Sequence, residues 1–132
     1  MVLIDTSVWI DFFRSGTSSE SNILSQLIES DQDVATCGLI RQEVLQGIRD
    51  DVMMRRVLKL LDQTIYLNLH EPQTFDHAAE IYRNLRRRGK TIRSPGDCLI
   101  AAIAIESRTP LLHHDKDFLT IALSSNLKLF EI

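Results

Sequence analysis

Four carboxylates stand where a carboxylate is hard to place. Asp5 directly follows the apolar run Val2-Leu3-Ile4 in the opening stretch MVLIDTSVWIDFFR. Glu43 lies toward the helical face that carries Leu39, Ile40, Val44 and Gly47, away from Arg41, Gln42, Gln46 and Arg49. Asp97 opens the most apolar stretch of the chain, SPGDCLIAAIAIES. Asp115 comes just after a second short apolar run, Pro110-Leu111-Leu112, and Asp117 follows two residues later. A carboxylate withdrawn from water needs a partner or a task. In a shared pocket, two such charges about 5 Å apart repel by roughly 3 kcal/mol at an effective dielectric near 20. Shared protons or a bound cation relieve that repulsion. Oxygen donors without a His/Cys set favour Mg²⁺ or Mn²⁺ over zinc. A carboxylate-held Mg²⁺ fits phosphodiester or phosphoryl chemistry, in which the metal activates water and neutralises developing charge.

Each acid also has a purely structural role open to it. Asp5 can bind turn amides, with Thr6 or Ser7 capping the helix that follows. Glu43 can pair with an arginine at a helix rim. Ser94-Pro95-Gly96-Asp97 has the spacing of a capping box. Asp115 and Asp117 can cap a helix around Phe118. The joint placement, more than any single residue, points to a site.

The elements that must position these acids follow from hydrophobic spacing. Residues 2–4 and 110–112 read as short buried strands, 33–36 as a weaker one, and 64–69 and 127–130 as further strands. Helical periodicity marks residues 7–14, 23–28, 38–49, 53–61, 75–85 and 116–123. A helix from Ser94, with Pro95 in its first turn, is apolar all round and therefore buried. Short strands alternating with helices predict an α/β fold with a small, mainly parallel central sheet flanked by helices. Such sheets carry their working groups outside the carboxyl ends of the strands. If strands 2–4 and 110–112 are neighbours, Asp5 and Asp115 share one edge.

The length of 132 residues fits a single domain spanning 1–132. With 44% apolar and 25% charged residues and a net charge of −3, the whole chain does not read as a general polyanion binder. One local exception is NLRRRGKTIR, where Arg86, Arg87, Arg88, Lys90 and Arg93 lie just upstream of Asp97 and could contact the phosphates of a polyanionic substrate, or simply complement the dipole of a helix end capped by Gly89. Its Gly-Lys-Thr is no phosphate-binding loop, because Asn84 holds the position where that motif needs a glycine. His113 and His114 lack the further ligands of a zinc set and read as packing or polar contacts. Cys37 and Cys98 form no CxxC pair and suit a reducing, cytoplasmic setting. No signal-type segment opens the chain, and the eight-residue run CLIAAIAI is too short to span a membrane. Trp9, Phe12 and Phe13 are expected in the core or at a dimer surface, and apolar surface at Trp9, Phe12 or Leu45 would fit a protein contact.

Taken in order, VLIDTSVWIDFFR, RQEVLQGI, SPGDCLIAAIA and LLHHDKDF resemble the four acidic motifs of PIN-domain ribonucleases, with the spacing of the VapC toxins of toxin–antitoxin pairs. The resemblance runs from about residue 2 to residue 130. It implies a PIN fold and a Mg²⁺- or Mn²⁺-dependent endoribonuclease acting through metal-activated water. Asp5, Glu43, Asp97 and Asp115 would form the acidic quartet, with Thr6 or Ser7 as the hydroxyl beside the first acid and Asp117 as a fifth member. His113 departs from the threonine or serine common at that place. The resemblance also implies a homodimer and a small VapB-like antitoxin. Two other readings are an aspartate-based phosphohydrolase with Asp5 as nucleophile, and a non-catalytic module that binds RNA or protein.

Overall fold

In the computed structural model, which describes residues 1–131, the chain forms four strands and seven helices. The order is β1 (Val2–Ile4), α1 (Thr6–Arg14), α2 (Ser19–Glu29), β2 (Val34–Cys37), α3 (Gly38–Gln46), α4 (Asp51–Asp62), β3 (Ile65–Leu67), α5 (Gln73–Arg87), α6 (Pro95–Glu106), β4 (Leu111–Leu112) and α7 (Asp117–Leu123). The strands pair in the order β3-β2-β1-β4, all parallel. This is the α/β architecture with a small parallel sheet that the hydrophobic spacing predicts.

β1 and β4 are direct neighbours, with Leu3 opposite Leu111 and Ile4 opposite Leu112. Asp5 and the turn that follows Leu112 therefore open on the same edge of the sheet. Both strands are fully buried, so their continuous apolar sequences suit layers packed on both faces. β3 is the outer strand, and its Ile65 and Tyr66 are exposed. It is shorter than the predicted 64–69. The predicted strand at 127–130 is reduced to one parallel bridge, Leu129 with Leu111, held by Leu111 N–H to Lys128 O at 2.9 Å and Phe130 N–H to Leu111 O at 2.8 Å. α3 stops at Gln46, short of the predicted 49, with Gly47 as its C-cap.

α6 is the central helix. Cys98 and the run Ile100–Ala104 are buried, so it meets neighbours on every side. Its alanines at 101, 102 and 104 are buried, and α5, which packs against it, presents Ala78, Ile81 and Leu85 to the core. Trp9 and Phe118 are the largest fully buried side chains. Trp9 stacks on Phe13 at 5.8 Å and meets Phe12 edge-on at 6.2 Å. Being buried, Trp9 belongs to the core and offers no contact surface, whereas Phe12 and Leu45 are partly buried at its margin. Among the described residues, no helix is long and apolar enough to cross a membrane.

Candidate functional site

The carboxyl edge of β1 and β4, the start of α6 and one face of α3 enclose a cavity of about 360 Å³. Asp5, Glu43, Asp97, Asp115 and Asp117 all line it, together with Thr6, Ser7, Ile10, Arg93 and Ser94. Five acids separated by up to 112 positions in sequence thus share one pocket.

Asp5 does serve as the N-cap of α1, its extended backbone turning the chain from strand into helix. Its Oδ2 accepts from the Ser7 amide at 3.0 Å and from the Ser7 hydroxyl at 2.5 Å. The same hydroxyl accepts from the His114 amide at 3.0 Å, which ties the turn after β1 to the turn after β4. Thr6 Oγ1 donates to Glu43 Oε1 at 2.8 Å and so fixes the acid brought by α3. Capping and site placement coexist at Asp5; one does not displace the other.

Asp97 behaves differently. The capping box its spacing suggests does not form, because the Ser94 side chain makes no cap hydrogen bond. The turn is held instead by the Asp97 amide donating to Ser94 O at 3.1 Å. Among the described residues no hydrogen bond reaches the Asp97 carboxylate, which points into the cavity. Asp115 Oδ1 accepts from the Asp117 amide at 3.0 Å, and the Asp115 amide donates to His113 Nδ1 at 3.2 Å. That bond makes Nδ1 of His113 an acceptor, the part a hydroxyl oxygen can also play. The imidazole rests on Phe118 at 5.5 Å, and His114 pairs with Glu20 at 3.2 Å. Both histidines are therefore committed to packing and polar contacts.

Asp117 is brought fully into the group. Carboxylate oxygens of Asp97, Asp115 and Asp117 lie within 4.8 Å of one another. Asp117 is buried, and among the described residues its Oδ2 has no hydrogen-bond partner. The spacing Asp-Lys-Asp leaves open which acid faces inward; the short turn closed by Asp115 Oδ1 brings in both.

The electrostatics record the crowding. Burial raises the Asp97 carboxyl, and the charges of Asp5, Asp115, Asp117 and Glu43 raise it further, to about 7. Burial also raises Asp5, while its hydrogen bonds from Ser7 and Thr6 pull the other way. Cys98, next to Asp97, is pushed up to about 11, mainly by burial, so it is no nucleophile at neutral pH.

The basic cluster divides. α5 ends in a glycine-terminated turn: Gly89 has φ +73°, its amide donates to Arg86 O at 3.0 Å, and the Lys90 amide donates to Leu85 O at 2.9 Å. Arg86, Arg87, Arg88 and Lys90 are exposed around that turn, and none lines the acidic cavity. Ile92 is buried, and Arg93 beside it reaches the cavity rim. Arg93 Nε lies 3.6 Å from Asp117 Oδ2, and its Nη2 lies 3.9 Å from Asp115 Oδ1.

The donor set fits a hard divalent cation. Three convergent carboxylates, one with an orphaned buried oxygen and one pushed up to about 7 by burial and then by neighbouring charge, make an all-oxygen site. Asp5 and Glu43 line the same cavity and add to the charge that Asp97 feels.

The PIN domain model matches residues 2–123. The chain is 40% identical over 129 residues to the VapC ribonuclease Mb1587 of Mycobacterium bovis and, equally, to ribonuclease VapC11 of Mycobacterium tuberculosis, covering 97% of this chain and 96% of each relative. The solved structure of VapBC-1 from nontypeable Haemophilus influenzae has the same fold, with a TM-score of 0.75 at 20% identity over 99% of this chain and 98% of that one. The chain belongs to the PIN-domain family, in its VapC branch.

Proposed function

We propose that this chain is a divalent-metal-dependent endoribonuclease, formed as one catalytic domain over its length and acting as the toxin of a VapBC-type pair. The observation that carries the reading is the convergence of Asp97, Asp115 and Asp117 within 4.8 Å, with the buried Oδ2 of Asp117 lacking a hydrogen bond. These three residues would hold Mg²⁺ or Mn²⁺, with Asp5 and Glu43 as further ligands or outer partners. When bound there, the ion supplies positive charge against a phosphodiester and acidifies water. Ser7 holds the Asp5 carboxylate still and links it to the His114 backbone. Thr6 holds Glu43. Asp97 stays free of protein hydrogen bonds, so its oxygens remain available for ligation. Its raised pKa expresses an excess of negative charge that a cation relieves.

Asp5 is poorly suited to be a phosphohydrolase nucleophile. It is buried, and its Oδ2 is held by two hydrogen bonds from Ser7. Arg86, Arg87, Arg88 and Lys90 form the more distant phosphate-contacting surface, with Arg93 at the rim. A VapB-like antitoxin, supported by the VapBC-1 name of the structural neighbour, and a cytoplasmic setting, supported by two free buried thiols, complete the reading, together with the homodimer that the family resemblance implies. The direct test incubates the purified chain with RNA and Mg²⁺ beside Asp5→Asn and Asp97→Asn. Metal-dependent cleavage that both substitutions remove is expected; cleavage no greater than that of the variants overturns the enzyme reading. Co-purification with the product of the neighbouring reading frame checks the partner.

A further inference from the structure

Arg93 stands apart from the rest of the basic cluster in what it faces. Among the described residues it is the one cation paired within 4.0 Å with any of the three converging carboxylates, and it reaches two of them, Asp115 and Asp117. Its distances to them, 3.6 and 3.9 Å, are ion-pair distances beyond hydrogen-bond reach, and its side chain is 77% exposed. The carboxylate it faces most closely, Asp117, is the one whose buried oxygen has no other partner. Its backbone is fixed on both sides, by buried Ile92 and by Ser94 at the N-cap of α6. The guanidinium can therefore swing while its root stays at the rim. A tight, hydrogen-bonded arginine would block ligation; a loose, solvated one can leave.

We propose that Arg93 is a displaceable counter-ion of the acidic centre: it lies against Asp115 and Asp117 when no divalent cation is bound, and gives up that place to the cation. Once displaced, the guanidinium projects from the rim, where a phosphate of the substrate would lie. This rests on the proposed metal-dependent activity, but it concerns a competition that can be measured without RNA. It assigns Arg93 a positioning role distinct from that of Arg86, Arg87, Arg88 and Lys90.

The test is Mn²⁺ binding by calorimetry to the whole chain, free of RNA, at low ionic strength. Arg93→Gln is expected to bind Mn²⁺ about threefold to tenfold more tightly than wild type, the range set by loss of one or two exposed ion pairs. Arg93→Lys, which restores a mobile positive charge, should return most of the way to the wild-type affinity. Arg88→Gln removes the same charge from the same basic stretch and should leave Mn²⁺ affinity unchanged. Equal or weaker Mn²⁺ binding by a natively folded Arg93→Gln, judged by its circular dichroism, overturns the proposal, as does a wild type that binds no Mn²⁺. Wild type that binds Mn²⁺ but cleaves no RNA defeats the ribonuclease reading alone, and the affinity series still decides the counter-ion.

Discussion

The two ends of α6 carry two carboxylates with opposite fates, Asp97 partly buried and Glu106 exposed. Asp97, in the first turn, has a carboxylate that accepts no hydrogen bond among the described residues and is pushed up to about 7 by burial and four neighbouring acids. Glu106, the last residue, is raised by burial but lowered more by what surrounds it. Thr74 Oγ1 donates to its Oε1 at 2.7 Å, and His77 Nδ1 meets its Oε2 at 2.8 Å, with His70 adding charge from nearby. The helix dipole alone would order them the other way, favouring the anion at the N-terminus and opposing it at the C-terminus. That term is about 0.3–1 kcal/mol at such positions. Direct partners, or their absence, outweigh it at both ends. The same helix thus holds one acid that locks α6 to α5 and one whose charge the protein leaves uncompensated.

Exchanging the charge at each end separates these roles most sharply. Asp97→Asn should lower Mg²⁺-dependent RNA cleavage by at least about a hundredfold, in line with loss of a ligand or proton-handling group. Glu106→Gln should leave the initial rate within about twofold. Equal losses from the two variants would collapse the distinction.

Metal should stabilise one end only. At a hundred times its Kd, Mn²⁺ should add about 3 kcal/mol, roughly 10 °C in Tm, to wild type and to Glu106→Gln. Asp97→Asn should lose most of that shift, as read by differential scanning calorimetry with and without chelator.

In chelator at pH 8 the order of stability should reverse. Asp97→Asn should exceed wild type by about 1–2 kcal/mol, because it removes a repelled charge. Glu106→Gln should fall about 1 kcal/mol below wild type, having disturbed two hydrogen bonds. Urea unfolding at fixed pH measures both.

The smallest effect is the pH dependence. The folded-state pKa of Asp97 lies above its unfolded value of 3.8, so the folded chain holds the extra proton between about 4 and 7. Its contribution to stability is fully present below pH 4 and is lost as pH rises through 7. Glu106 is lowered from 4.5, so its contribution is present above that value and is lost as pH falls through its folded pKa. Metal-free unfolding curves should therefore lose their downward slope between pH 4 and 7 in Asp97→Asn. In Glu106→Gln they should lose part of the acid-side fall.

What the sequence could disclose follows the same division between local and non-local causes. Val2-Leu3-Ile4 and Leu111-Leu112 announce buried parallel strands because each run carries its own evidence, and the acids after them announce a shared edge. The helix at 94–106 is legible as a core element from its apolar girth. Asp97's capping box was not decidable from spacing, because the choice between capping and facing the pocket depends on acids from three other elements. Asp117's place depends on a turn closed by Asp115 Oδ1, which the spacing Asp-Lys-Asp does not specify. Arg93 reads as one of five bases until Gly89 ends α5 and Ile92 turns the chain inward. The strand at 127–130 shrinks to one bridge because it meets only the two-residue β4.

The order of the strands has a bearing on when the centre can exist. Asp97, Asp115 and Asp117 emerge from the ribosome only after β1, β2 and β3 have been made, and β4 must still slot beside β1 before Ser7 can grip the His114 backbone. A nascent polypeptide that carries only Asp5 and Glu43 therefore lacks three of the five acids that line the pocket, and the full set comes together only once β4 has taken its place beside β1.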